Sequence, residues 1–335
     1  MSTSTAPVTP ERIMQFAWGY IPPLVLEAAI KNRVFDTLDS GPKKIQEVSA
    51  ASGASERGLT AIMNALVGLN FLTRDEEGRY ALAPESAAFL VSSKPAYQGG
   101  FLSHCSQHLI PKWLALNDIV KTGKPVKAVN EEAVGAEFFQ KFVTDLFPMN
   151  YAAAQTLAKH LAVSNPVQVL DLAAGSGVWG IALAQSSEEV RVTAVDWPDV
   201  IPVTRKTTAR FGVADRFSFI EGDLLRVDFG SNYGIATLGH ILHSEGAQRS
   251  RALLRKTFQV LQPGGTIAIA EFLVDADRRG PVNGLLFAVN MLVNTDDGST
   301  YSFEEIGQWL KEAGFVNARM LEAPGPSPLI LANKP

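Results

Sequence analysis

The 335-residue chain is predicted to fold as an α/β protein with a helical unit in front of it. Three observations lead there. From residue 167 onward, apolar β-branched runs alternate with helical segments, the pattern of a parallel sheet covered on both faces. The first 100 residues instead run helix, helix, helix and short hairpin. Apolar residues make up 46% and charged residues 19%, enough to build two cores rather than a disordered chain.

The elements follow in order. Residues 1–10, rich in Ser, Thr and Pro, are expected to fray. A helix is expected over 22–38: it opens on prolines, spaces Leu26, Ala29, Ile30, Val34 and Leu38 along one face, and stops at Gly41-Pro42. A short helix over 45–51 comes next. Ser55 then caps a longer one with Leu59, Ile62, Met63, Leu66 and Leu69 on its apolar side. Two short strands surround Glu77-Gly78. This is the order of a winged helix, assigned to 1–100.

DNA binding is the obvious reading of such a unit, and its charge speaks against it. Residues 1–100 hold nine Lys/Arg and ten Asp/Glu, and the wing tip is Asp75-Glu76-Glu77. A polyanion finds no electrostatic footprint there. Packing or dimerisation is the favoured role, and no nucleic-acid partner is expected.

Residues 101–160 read as a mostly helical linker rich in aromatics, among them Trp113, Phe138, Phe139, Phe142 and Phe147. Such a stretch is either plain core or the wall of an apolar pocket. Residues 161–335 form the α/β domain. Its strands end in LDLAA, TAVDW, FIEGD, ATLGH and AIAE, with helices near 178–186, 198–213, 245–261 and 303–313. The runs NARMLEA and PLILANKP, parted by Pro324-Gly325-Pro326, predict an antiparallel hairpin at the sheet edge.

Composition narrows the class further. The net charge is −4 and Cys105 is the single cysteine, so neither a disulfide framework nor a multi-cysteine metal site is available. No His/Asp cluster has ligand spacing, and no metal is expected. There is no secretory signal pattern and no stretch approaching a membrane span of about 18 uninterrupted apolar residues. A cytoplasmic protein without a membrane partner is the expectation.

Gly175, Gly177 and Gly180 form G-x-G-x-x-G between a strand and a helix, a dinucleotide-type loop. Three acids move the reading away from nicotinamide. Asp171 ends the first strand, where it would repel a pyrophosphate but suit an ammonium. Asp196 ends the second, placed to accept from two ribose hydroxyls. Asp223 follows the third, placed to accept from an adenine amine. Each alone is as well explained by a helix cap. Three at successive strand ends fit S-adenosyl-L-methionine, with one sulfonium, one ammonium and no phosphate.

The chain resembles the two-domain small-molecule O-methyltransferases of the class I S-adenosylmethionine-dependent kind. The resemblance rests on LEAAIKNRVFDTLDSGPKKIQEVSAASG and LTAIMNALVGLNFLTRDEEGRYALAPES at the front, and on LDLAAGSG, AVDWPDV, EGDLLR, ILHSEG and LQPGGTIAIAE behind. It implies a Rossmann-like catalytic domain, a winged-helix domain that makes a homodimer, and S-adenosyl-L-homocysteine as product. It implies cofactor contacts from Asp171, Gly175, Gly177, Asp196, Trp197, Asp223, Leu224 and Gly239. His243 falls on the family's catalytic base and Glu271 on the acid that orients it. The base would deprotonate a hydroxyl of a small aromatic or polyketide-like acceptor, whose ordinary phenol pKa is about 10. His240 is the runner-up for that role. Phe139, Met149, Phe287 and Met291 are expected to line the acceptor site, between the Rossmann-like domain and the helical segments.

Three positions depart from the family pattern. Ser244 stands where Asp is usual, Gly239 where Lys is usual, and Gly298-Ser299-Thr300-Tyr301 where a Glu-Arg-Thr element carries a second acid. Asp296 or Asp297 could take that acid's place. Three other classes therefore stay open: a cofactor-binding relative with other or no chemistry, an NAD(P)-dependent oxidoreductase resting on the glycines alone, and a DNA-binding regulator.

Overall fold

A computed structural model describes residues 8–129 and 132–335, with side chains except at positions 132–134, 136, 137 and 141. Of the residues expected to fray, 1–7 lie outside the described residues. The chain forms two compact units, Met1–Pro111 and Lys112–Pro335. The segment 101–160, read as a linker, is divided between them.

The first unit runs α1 (Glu11–Ala17), α2 (Ile21–Lys31), α3 (Val34–Leu38), α4 (Ile45–Ser52), α5 (Glu56–Gly68), β1 (Leu72–Arg74), β2 (Tyr80–Leu82), α6 (Pro84–Phe89) and α7 (Gly99–His104). The single helix expected over 22–38 is two helices, because Arg33 turns left-handed at φ 54°. The break lets adjacent Val34 and Phe35 both reach a core shared with Ala29, Leu38, Val48, Leu59, Met63, Leu66, Leu72 and Tyr80. Ser55 caps α5 by accepting from the Gly58 N–H at 3.2 Å. The hairpin turns at Gly78, and its tip is tied by Asp75, which accepts from the Arg79 N–H at 2.8 Å.

The front of this unit carries apolar side chains facing out. Ile13, Phe16, Trp18 and Tyr20 are each at least 60% exposed. Within the helical run Glu11–Lys31 an 18-residue window has a mean hydropathy of 1.3, and by length and composition alone the run is long enough to cross a membrane. The expectation concerned uninterrupted apolar residues, and this run is broken by Gln15 and Glu27.

The second unit begins with α8 (Ile110–Trp113), which the chain enters from the first, then α9 (Leu116–Thr122) and the long α10 (Glu132–Leu161). The sheet elements follow: β3 (Val167–Leu172), α11 (Val178–Ser186), β4 (Val190–Asp196), α12 (Ile201–Arg210), β5 (Phe217–Glu221), β6 (Tyr233–Gly239), α13 (Leu242–Val260), β7 (Leu261–Ala270), α14 (Val282–Asn294), α15 (Phe303–Ala313), β8 (Val316–Leu321) and β9 (Leu329–Asn333). The strand order is β5-β4-β3-β6-β7-β9-β8, parallel from β5 to β7. The C-terminal pair is antiparallel as expected, with β9 inserted between β7 and β8.

The central strands are apolar on both faces because helices cover both. On one side Leu170, Leu172 and Leu238 pack against Leu253 and Leu254 of α13 and Ile306 and Leu310 of α15. On the other, Val169 and Ile235 meet Ile181 and Leu183 of α11 and Ala154 and Leu157 of α10. Strand order reverses between β3 and β6. In open α/β sheets the carboxyl ends of strands at such a switch point are where ligands bind.

Candidate active site

The loop after β3 needs its glycines. Ala173, Gly175 and Gly177 have φ of 52°, 56° and 79°, and a β-carbon on Gly177 would lie 2.9 Å from the Thr204 methyl. The Gly175 carbonyl accepts from the Thr204 hydroxyl at 2.7 Å, and its N–H donates to Asp196 Oδ2 at 2.7 Å. Asp196 Oδ1 accepts from the Trp197 N–H, also at 2.7 Å. The end of β4 thus braces the loop beside the strand reversal. Burial pushes the Asp196 pKa up to about 6, against the lowering effect of the two N–H groups.

Asp171, expected as an ammonium ligand, meets protein donors through both of its oxygens. It is fully buried, with Oδ1 accepting from the Thr237 hydroxyl at 2.7 Å and Oδ2 from the Gly180 N–H at 3.0 Å. It joins β3 and β6 to the first turn of α11. Gly180 is the packing counterpart, since a β-carbon there would lie 2.9 Å from Asp171 Oδ2. Burial drives Asp171 up to about 7.

Asp223, just past β5, accepts from the Leu225 N–H at 2.8 Å and pairs through Oδ2 with Arg249 Nη2 at 2.8 Å. Arg249 also holds Glu245, Nε to Oε2, at 2.6 Å. Burial works to raise the Asp223 pKa, and Arg249 with the Leu225 N–H holds it below the usual range. Leu224 is buried beside it. Gly239 is covered by the Trp179 indole, 1.9 Å from where a β-carbon would sit.

At the end of β6 the chain reverses through His240, at φ 58°, and enters α13. That places His243 in the first turn, facing the end of β7. His243 Nδ1 lies 2.6 Å from Glu271 Oε1, while Oε2 accepts from the His243 N–H at 3.1 Å. The Phe272 N–H adds a third bond to the carboxylate, at 2.9 Å. Glu271 is fully buried, which would raise its pKa, but His243 and these donors hold it below the usual range. An ionised Glu271 accepts a hydrogen bond from Nδ1–H, which keeps the proton on Nδ1 and leaves Nε2 as the acceptor. Phe287 meets the His243 ring edge-on at 4.9 Å and stacks on Phe272 at 3.9 Å, so the imidazole sits in an aromatic corner.

His240 is placed differently. Its Nε2 is 2.7 Å from Ser327 Oγ, and burial drops its pKa to about 4. A neutral imidazole tied to a serine is a structural link between β6 and the β8–β9 loop. Asp296 pairs with Lys124 at 3.4 Å, and the Asp297 backbone lies over Gly246, so among the described residues Glu271 is the one carboxylate hydrogen-bonded to His243.

Of the four expected acceptor-lining residues, Phe287 touches the His243 ring and Met291 lies one turn further on the same helix. Phe139 stands 6.0 Å from Trp197, near the cofactor-side strand ends rather than the dyad. Met149 presents its carbonyl to Gly325 and makes no described contact with the dyad. Trp179, Phe272 and Arg249 were not singled out by sequence. The glycine at 239 is the one hint of Trp179, because a bulky neighbour has to fill the room left there.

Residues 113–316 match the O-methyltransferase domain family and residues 14–92 match the O-methyltransferase dimerisation domain. The chain belongs to this S-adenosylmethionine-dependent O-methyltransferase family. It is 28% identical over 330 residues, 97% of each chain, to the tetracenomycin polyketide synthesis 8-O-methyl transferase TcmO of Streptomyces glaucescens. It is 29% identical over 324 residues, 95% of this chain and 92% of the relative, to the 3-hydroxy-5-methyl-1-naphthoate 3-O-methyltransferase of Streptomyces sahachiroi. The crystal structure of human N-acetylserotonin methyltransferase with S-adenosylmethionine superposes with a TM-score of 0.83 at 26% identity, covering 100% of this chain and 99% of that one.

The residues present fit the methyl donor. The left-handed loop at Gly175 and Gly177 admits a ligand against bare backbone, and Asp196 offers a carboxylate beside it. A cationic donor needs no phosphate site, and the charged group beside this loop is the Asp196 carboxylate rather than a lysine.

Proposed function

We propose that the chain methylates a hydroxyl of a small aromatic or polyketide-like molecule, with His243 as general base. The hydrogen-bonded pair of His243 and buried Glu271, beside the Gly175–Gly177 loop, carries this reading. S-Adenosylmethionine supplies the methyl group. Asp196 binds the ribose hydroxyls, Trp197 and Leu224 flank the adenine, and Asp223, fixed by Arg249, closes the adenine side. Glu271 fixes the His243 tautomer and balances the charge gained when Nε2 takes the hydroxyl proton. Phe272 and Phe287 keep water from the nucleophile and hold the acceptor ring. Alignment of the reacting atoms in such a site contributes up to about 7–11 kcal/mol.

The test is release of S-adenosylhomocysteine from the full chain across a panel of phenols and hydroxynaphthalenes, with the methylated position read by nuclear magnetic resonance. Transfer to oxygen supports the proposal; transfer to nitrogen or carbon alone overturns it.

Asp196 gives a pH prediction. Its carboxylate must be ionised to accept both ribose hydroxyls, and its pKa is pushed up to about 6. Affinity for S-adenosylhomocysteine is expected to hold above that value and to fall by up to about tenfold per pH unit below it. Calorimetric titration between pH 5 and 8 checks this; a flat profile removes Asp196 from the ribose.

The first unit is assigned to self-association. The exposed Ile13, Phe16, Trp18 and Tyr20 lie in or beside a matched dimerisation domain, and a second copy of the chain is their proposed cover. Sedimentation is expected to give a dimer, and Phe16→Glu with Trp18→Glu a monomer.

A further inference from the structure

One face of α14 runs from the catalytic corner to a lysine. Asn290 and Met291 lie three and four residues after Phe287, and Asn294 lies three and four after Met291 and Asn290, which places all four on one face of the helix. Phe287 meets the His243 ring at one end of this face. At the other, Asn294 Oδ1 accepts from Lys112 Nζ at 3.0 Å. The helix rises about 10 Å between those two positions. Asn290 lies between them, its Oδ1 accepting from the Trp113 indole at 3.3 Å and from the Asn294 amide at 3.1 Å. The two amides are thereby locked, with the Asn294 oxygen turned to the ammonium.

Lys112 is half-buried and stands 4.6 Å from the centre of the Phe138 ring. Among the described residues it has no carboxylate partner. Burial lowers its pKa, and nearby Lys127 lowers it further. Among the described residues, this half-desolvated ammonium has two neutral contacts, a second cation nearby and no counter-charge. The α14 face that carries Phe287, Asn290 and Met291 leads from it to the base.

We infer that Lys112 receives a carboxylate of the acceptor, so that the substrate is a hydroxylated aromatic acid with its hydroxyl at His243 and its acid group about two rings away. This rests on the O-methyltransfer reading of His243. The competing role for Lys112 is a helix cap, a cation at the carboxyl end of α14.

The experiment compares 6-hydroxy-2-naphthoate with its carboxamide in wild type, Lys112→Met and Lys112→Arg, following release of S-adenosylhomocysteine. Alongside it, 2-naphthoate, which has no hydroxyl to methylate, is titrated calorimetrically into protein saturated with S-adenosylhomocysteine. The acid is expected to exceed the amide in kcat/KM by about tenfold or more, equivalent to about 1.4 kcal/mol. Lys112→Met should bring the acid down to the amide, Lys112→Arg should keep the preference, and 2-naphthoate should bind wild type but not Lys112→Met. Equal rates for acid and amide in wild type, or a proportional loss of both in Lys112→Met, overturn the inference and leave O-methyl transfer standing. Binding of 2-naphthoate through Lys112 with no methyl transfer to either compound supports the anion subsite and counts against the O-methyltransfer reading. Neither binding nor transfer overturns both.

Discussion

His243→Ala is expected to lower kcat for methyl transfer by about 10²–10⁴-fold while leaving S-adenosylhomocysteine affinity within about twofold. The separation follows from where the ring sits. Its described neighbours are Glu271, Phe272, Phe287 and His240, not the Gly175–Gly177 loop or Asp196. Removing it takes away the acceptor for the hydroxyl proton and leaves the donor site whole. The loss should shrink as pH approaches the acceptor's own pKa, because a phenolate formed in solution needs no base. Glu271→Gln should fall between wild type and His243→Ala: the amide oxygen can still accept from Nδ1, but it cannot balance an imidazolium. A His243→Ala variant with unchanged turnover at neutral pH would remove the histidine from the chemistry. It would leave the aromatic corner with only a positioning role.

Much of this site was legible in the sequence, for identifiable reasons. Strand ends can be read because a run such as TIAIA stops being apolar at Glu271, and the loop because glycines spaced two and three apart have few other uses. Both kinds of signal are local. What the sequence left hidden turned on direction or distance. Asp171 was read as a ligand because its place at a strand end is visible, whereas the facing of its side chain, toward Thr237 and Gly180, depends on strands 66 residues apart. Arg33 interrupts the helix expected over 22–38 because the core wants Val34 and Phe35 together, and periodicity does not carry that demand. Met149 and Phe139 fitted a helical apolar pattern without any indication of which side they would serve. Lys112 and Asn294 meet across 182 residues, and nothing local to either announces the other.

Replacing Asp171 separates its two readings, and the effect on stability should be large. Asp171→Leu removes both acceptors from a fully buried site, leaving the Gly180 N–H without its partner and the Thr237 hydroxyl with only the long 3.5 Å contact to the Leu170 carbonyl. Each such orphan costs about 1–3 kcal/mol, so a loss of about 2–5 kcal/mol is expected in urea unfolding. Asp171→Asn keeps an oxygen for Gly180 and turns its amide toward the Thr237 oxygen, so both stability and S-adenosylhomocysteine affinity should stay near wild type. The charge has its own signature. Burial raises the folded-state pKa to about 7, against 3.8 for the free group. The native state therefore keeps a proton that the unfolded chain releases. This group's contribution is most favourable below the lower value and is lost as pH rises toward the upper one. Asp171→Asn should flatten that part of the stability profile. If it instead folds normally but no longer binds S-adenosylhomocysteine, the carboxylate is a ligand for the cofactor's ammonium after all, and the joint between β3, β6 and α11 is secondary.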